Sequence, residues 1–233
     1  MDAVEPYLPL LWDGMKVTIL VTVIGVAVSI PFSLILGMGR VSRYRLVRAL
    51  CRTVAEFLRG TSVIVQLFWV FYALPLVIEY KFDPMAAATV VLGLNCGAYA
   101  AEAVRSALGS LPQGQHDAAV ALGLSQRRFT WRILLPQTFP RMLPPFGTAA
   151  IDLMKASSVV GFVTVQDLTF RSDQVRAATG ESLAVYGVVL VSYFAFALVI
   201  SGLFRGLERI VAARHDGRST RRRRVIMSRI GTA

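Results

Sequence analysis

The chain has 233 residues, 55% of them hydrophobic and 17% charged, with a formal net charge of +11 at pH 7. A soluble domain of this length would lack the polar surface to cover itself, so the composition excludes an ordinary globular protein and makes a bilayer the natural solvent. Nucleic-acid binding would need aromatics interleaved with the basic residues, and none interleave with the arginine run near the C-terminus.

Asp2 and Glu5, with only Lys16, precede the first apolar run. That is unlike the basic start of a cleavable signal peptide, so the first helix is expected to remain. Val17 to Leu36 is twenty consecutive uncharged residues, enough to cross about 30 Å of hydrocarbon. The pattern predicts an all-α polytopic membrane protein with five spans, at about 15–38, 57–78, 85–104, 143–166 and 183–204.

Pro31 and Pro75 should kink or end their helices. Glu56 and Arg59, three residues apart, read as a structural or gating pair. The third span has a short uncharged core, Met85 to Ala101, but its apolar pattern continues past Glu102 through Val104 and Leu108, so it should project into the cytoplasm. Cys51 lies among arginines and Cys96 in an apolar stretch, and no disulfide framework follows.

Arginine placement sets the orientation. With the N-terminus outside, Arg40, Arg43, Arg45, Arg48, Arg52 and Arg59 fall inside, followed by Arg105, Arg127, Arg128, Arg132 and Arg141, and then nine arginines from Arg205 to Arg229. The opposite face receives only Lys81, Arg171 and Arg176. The positive-inside rule therefore predicts an outside N-terminus and a cytoplasmic C-terminus. The chain divides into a transmembrane domain at 1–210 and a basic cytoplasmic tail at 211–233, whose run Arg221 to Arg224 reads as a disordered end held near anionic lipid.

The segment at about 106–142 reads as a folded cytoplasmic helix-turn-helix. Leu111-Pro112-Gln113-Gly114 starts a helix, Asp117-Ala118-Ala119-Val120-Ala121-Leu122 continues it, and Gly123 ends it as a left-handed cap. Ser125 can cap a second helix running through Phe129, Trp131 and Ile133 to Leu135, stopped by Pro136.

The spacing of Asp117-Ala118-Ala119, Gly123, Ile133 and Leu135-Pro136 resembles the EAA loop of ABC importer permeases. The resemblance implies that Asp117, Ala118, Ala119, Leu122, Gly123, Leu124, Leu135 and Pro136 form the surface that couples to an ATP-binding subunit. Asp117 departs from the usual glutamate, keeping the charge and shortening its reach.

The stretches Ala98 to Arg105, Leu135-Pro136-Gln137 and Arg59-Gly60-Thr61-Ser62 leading into Val65 to Phe68 are similar to the polar amino acid branch of these permeases, the histidine, glutamine and arginine type. Val65 to Pro75, Met142 to Gly147 and Asp167 to Phe170 also resemble ectoine and hydroxyectoine permeases, although Thr148 stands where many relatives have asparagine. The family implies two ATP-binding subunits holding ATP and Mg, a second permease subunit, and an extracytoplasmic binding protein. That protein would meet the short loops at Glu79 to Pro84 and Arg171 to Ser182. No cofactor or metal is expected on this chain.

Polar side chains at membrane depth are expensive, which makes each a candidate for solute contact. Gln66, Asn95, Tyr99, Lys155, Ser157 and Ser158 are the candidates, with interhelical hydrogen bonding as the competing use of the same residue types. Asp152 precedes Lys155 by three residues, so a mutual ion pair competes with solute contact there. No catalytic constellation is expected. There is no phosphate-cradling or zinc motif, and His116 and His215 are isolated. An ion-coupled carrier or channel using Asp152 and Lys155, or an intramembrane enzyme using Ser158 and Lys155, are the rival readings.

Overall fold

The computed structural model describes the backbone of residues 5–230; the side chains of 113, 116, 127, 212 and 214–230 lie outside that description. Among the described residues the fold is all-helical. The helices are α1 (Leu8–Arg40), α2 (Arg45–Gly60), α3 (Val63–Ile78), α4 (Pro84–Gly109), α5 (Gln113–Ala121), α6 (Leu135–Ala156), α7 (Leu168–Thr179) and α8 (Ser182–Ile230). Four stretches, Glu5–Arg40, Pro84–Gly109, Thr130–Val163 and Ser182–Val211, are long and apolar enough to span a membrane, and α2 with α3 makes a fifth, broken one.

The second predicted span needs correction. The chain turns by 101° between α2 and α3, so the span expected at 57–78 is broken near Gly60. α2 carries four arginines and is amphipathic rather than apolar all round, with Cys51, Val54, Ala55 and Leu58 packed on Leu36 of α1 and on Ala98 and Ala101 of α4. The helix that carries the fourth span starts before that span's expected bounds, at Thr130, and ends in a 3₁₀ stretch, Ser157–Val163. Residues 171–182, expected as a loop, are mostly the helix α7, which packs Leu168 and Val175 against Leu11 of α1 and Val185 of α8. The basic tail, expected to be disordered, continues α8 in its backbone as far as Ile230.

Two prolines that should break helices are absorbed by the same device. A π-helical turn, Trp69–Ala73, immediately precedes Leu74-Pro75, and another, Thr130–Leu134, precedes Leu135-Pro136. In both, the residue before the proline donates five residues back, Leu74 to the Trp69 carbonyl and Leu135 to the Thr130 carbonyl. The wider turn makes room for the pyrrolidine ring against the preceding backbone. Pro136 therefore does not stop the second loop helix, which runs on into α6.

The centre of the bundle is α1 against α4, and small residues set the distance. A Cβ at Gly93 would lie 2.8 Å from the Gly25 carbonyl oxygen, and one at Gly97 would lie 2.9 Å from that of Ser29. Lipid tails are as apolar as leucine, so close packing between small residues drives helix association here in place of the hydrophobic effect. The spacing Gly93-x-x-x-Gly97 is the sequence signal of this close approach.

Candidate coupling loop and solute path

The loop begins where α4 ends. α5 closes in a complete left-handed cap: Gly123 has φ +65°, its N–H donates to the Val120 carbonyl at 2.9 Å, and Leu124 donates to that of Ala119 at 3.0 Å. Ser125 then caps the next turn, its Oγ accepting from the Arg128 N–H at 3.4 Å and its carbonyl from Phe129 at 2.9 Å. Within this frame Ala119 and Phe129 are buried. Asp117, Ala118 and Val120 point outward, and Leu122 is 77% exposed. Leu124 is half-buried. Leu135 joins a core cluster with Val104, Leu108 and Met142, and Pro136 lies at the start of α6. The two feet of the loop are tied together by Arg141, whose Nη1 donates to the Ser110 Oγ at 2.6 Å.

Three of the six solute-path candidates share one task. A bend of 101° leaves the last carbonyls of α2 without intrahelical donors. The Thr61 hydroxyl donates to the Phe57 carbonyl at 2.8 Å, Gln66 Nε2 and Asn95 Nδ2 donate to that of Leu58 at 2.8 and 2.9 Å, and the Tyr99 hydroxyl donates to that of Arg59 at 3.1 Å. Asn95 Nδ2 also reaches Gln66 Oε1 at 3.2 Å. Gln66, Asn95 and Tyr99 thus supply the donors that a membrane-embedded helix end cannot obtain from water.

Asn95 and Tyr99 also line a groove of about 570 Å³ between α4 and α6, with Cys96, Thr148 and Asp152. Asp152 and Lys155 are both exposed, with Lys155 Nζ 3.7 Å from Asp152 Oδ1. Ser157 is fully buried and donates to the Met154 carbonyl at 2.7 Å, so its hydroxyl is already satisfied. Ser158 is half-buried in the following 3₁₀ stretch.

The expected pair of Glu56 with Arg59 does not form. Glu56 accepts from Arg52 Nε at 2.7 Å, one helical turn away. Arg59 instead lies over the Tyr99 ring, 5.3 Å from its centroid, and 3.8 Å from Glu102. Glu102 also holds Arg40 at 2.7 Å and pairs with Arg105. One carboxylate thus gathers arginines from the ends of α1 and α2 and from its own helix. Spacing could have found only the Arg105 contact, because the other two come from across the fold.

Outside the spans, Asp167 is fully buried and caps α7, its Oδ1 accepting from the Phe170 N–H at 2.9 Å. Burial pushes its carboxyl up to about 6, against the hydrogen bonds from the Phe170 and Thr169 N–H groups. Beside it, the Leu168 N–H donates to Thr18 Oγ1 of α1 at 3.1 Å, and Thr169 shares a hydrogen bond with the Tyr193 hydroxyl of α8 at 3.1 Å.

Residues 29–214 match the family described as binding-protein-dependent transport system inner membrane components. The chain belongs to this family. It is 39% identical to a probable amino-acid ABC transporter permease protein of Sinorhizobium fredii, over 87% of each chain. It is 34% identical to the glutamine transport system permease protein of Escherichia coli, over 89% of this chain and 95% of that one. A crystal structure of an amino acid ABC transporter with histidines superposes with a TM-score of 0.79 at 25% identity, covering 88% of this chain and 95% of its own. A methionine ABC transporter in an inward-facing conformation shares the fold, with a TM-score of 0.72 at 21% identity. The chain is accordingly a multi-pass permease subunit of the inner membrane.

Proposed function

We propose that this permease subunit moves a polar amino acid or a related zwitterion into the cytoplasm by alternating access, driven by ATP hydrolysis in a partner. Two copies of an ATP-binding subunit carry the ATP and Mg. A second permease subunit completes the path, and an extracytoplasmic binding protein delivers the solute. The N-terminus is outside and the C-terminus cytoplasmic, a reading supported by the twenty arginines that then fall inside.

The observation that carries the coupling role is the surface of the loop from Asp117 to Leu124. Leu122 and Val120 expose apolar surface beside the acidic Asp117 on a rigidly capped helix, a combination that suits a protein partner better than water. The amino acid reading draws on the relatives, whose names include glutamine and arginine permeases. Ectoine and hydroxyectoine belong to the same zwitterionic class. The segments that resemble their permeases have folding roles, Pro75 following a π-helical turn and Asp167 capping α7, so they discriminate poorly between solutes.

The test is uptake of labelled glutamine, arginine and ectoine into proteoliposomes containing the permease, its ATPase and its binding protein. One of the three should accumulate only with ATP. Leu122→Ser and Gly123→Arg should each abolish ATP-driven accumulation while the chain still inserts. Uptake independent of ATP would refute the proposal.

A further inference from the structure

We propose that the last part of α3, Tyr72–Ile78, is a flap, hinged at the π-helical turn in which it begins and latched by Tyr72 to the stretch that follows α6. The proposal rests on the alternating-access reading above, in which this flap opens and closes the end of the solute path remote from the coupling loop.

The two halves of α3 are held differently. In the first half Leu67 is fully buried, and Gln66 is bonded to the Leu58 carbonyl of α2 and to Asn95 of α4. From Tyr72 to Ile78 no residue is buried, and Leu76 is 84% exposed. Between the halves the helical ladder is weakest. Pro75 brings no N–H, and the turn Trp69–Ala73 before it spaces its bonds more widely than an α-helix. At its far end α3 stops at Glu79, whose φ of +54° is left-handed, and residues 79–83 form no helix. The segment is therefore hinged at one end and tethered by a loop at the other.

The latch is a contact between residues 90 positions apart, in which the Tyr72 hydroxyl donates to the Phe162 carbonyl at 2.9 Å. The Phe68 ring braces it edge-on, with its centroid 5.8 Å from that of Tyr72 and 6.0 Å from that of Phe162. Tyr72 and Phe162 are both exposed, so they can part without opening the core behind them, where Leu67, Val160 and Val163 are fully buried. The backbone beside Phe162 is irregular as well. Phe162 lies in the 3₁₀ stretch Ser157–Val163, and Thr164 after it has φ +69°, a left-handed conformation that a β-branched residue rarely adopts. Irregular turns on both sides of one contact are the mark of segments that switch.

The flap stands at one end of the groove between α4 and α6. Leu92 and Ala156 are the groove-lining residues farthest along those helices from the coupling loop, and they share a core cluster with Phe71 and Val160. Phe162 is carried on the helical stretch Thr130–Val163, which begins in that loop. In the proposed coupling, one element thus joins the loop to the latch.

Double electron–electron resonance on the assembled transporter in nanodiscs, without nucleotide or solute, tests this. Cys51 and Cys96 are replaced by alanine. A spin label at Leu183→Cys on α8 is paired in turn with one at Leu76→Cys on the flap and one at Val65→Cys on the anchored half, all three positions being exposed. Tyr72→Phe keeps the ring and loses the hydrogen bond. It should raise the ratio of displaced to docked Leu76 distances by about fivefold, the worth of one hydrogen bond, and leave the Val65 distances where they were. Phe162→Ala, which removes the braced ring, should also raise that ratio.

Leu76 distances unchanged by Tyr72→Phe overturn the latch. A Val65 label displaced together with the Leu76 label overturns the hinge, since α3 then moves as one rod. Release of the Leu76 label only when the second permease subunit is absent overturns the proposal as well, because that subunit and not Tyr72 then holds the flap. All these distances are read without ATP, so their failure is distinct from that of the transport reading, which falls to ATP-independent uptake.

Discussion

Arg141 of α6 reaches Ser110, the residue that ends α4, with its Nη1 2.6 Å from the serine Oγ. The two residues are 31 positions apart and bracket the whole of the proposed coupling loop, so the contact ties its feet together. In the proposed coupling, a force applied to α5 is then passed to α4 and α6 together. Arg141→Ala should lower ATP-driven uptake several-fold while ATP hydrolysis by the assembled complex continues, the mark of lost coupling rather than lost assembly. Arg141→Lys, with one ammonium in reach of the hydroxyl, should recover part of it. Unchanged uptake in Arg141→Ala would remove this role.

The loop itself was legible in the sequence because its signals are local. Gly123 as a cap needs only the helix before it, and Ser125 only the turn after it. The end of that helix was misjudged at Pro136, since a π-helical turn upstream leaves no compositional trace. The bend at Gly60 was missed for a different reason. Its stability comes from Gln66, Asn95 and Tyr99 meeting the end of α2, and those contacts exist only once α3 and α4 have packed. The same is true of Glu102, whose arginines arrive from α1 and α2.

The bend predicts how those residues respond to substitution. Leu58 has one carbonyl and two side-chain donors, Gln66 and Asn95, so either single change leaves one donor in place. Gln66→Leu or Asn95→Leu alone should destabilise the complex by about 1 kcal/mol. The double variant leaves the Leu58 carbonyl without either donor and should lose more than the sum of the two, by 0.5 kcal/mol or more on the usual scale of coupled neighbours. Tyr99→Phe removes only the Arg59 contact and should be the mildest. Thermal unfolding of the detergent-solubilised complex measures all four, and strict additivity would sink the shared-cap account.

The α1–α4 contact predicts a harsher effect. A side chain at Gly97 would meet the Ser29 carbonyl at 2.9 Å and the Phe32 ring at 2.9 Å, and backbone cannot yield as a flexible side chain can. Gly97→Leu should prevent stable assembly, with a loss of several kcal/mol typical of severe overpacking. Gly109→Ala, where no atom lies within 4 Å of the added Cβ, is the matching control and should assemble normally. Protease resistance in membranes distinguishes the two, and a resistant Gly97→Leu protein would mean that the helices can separate without penalty.

Asp167 ties stability to pH. Its carboxyl is raised from 3.8 to about 6 by burial, so the folded state holds a proton more tightly than the unfolded chain. The stabilisation from that proton is complete below about 4 and is lost as pH rises through 6, an effect on the order of 2 to 3 kcal/mol if the whole shift is expressed. Asp167→Asn keeps an acceptor for the Phe170 N–H but cannot ionise. Its thermal midpoint should therefore vary less between pH 4 and 7 than that of the wild type, and at pH 7 should equal or exceed it. Asp167→Ala should be equally insensitive to pH yet less stable than the asparagine variant by about 1 kcal/mol, the usual loss when an N-cap is removed. Matching pH profiles for wild type and Asp167→Asn would show that the buried carboxyl does not titrate in this range.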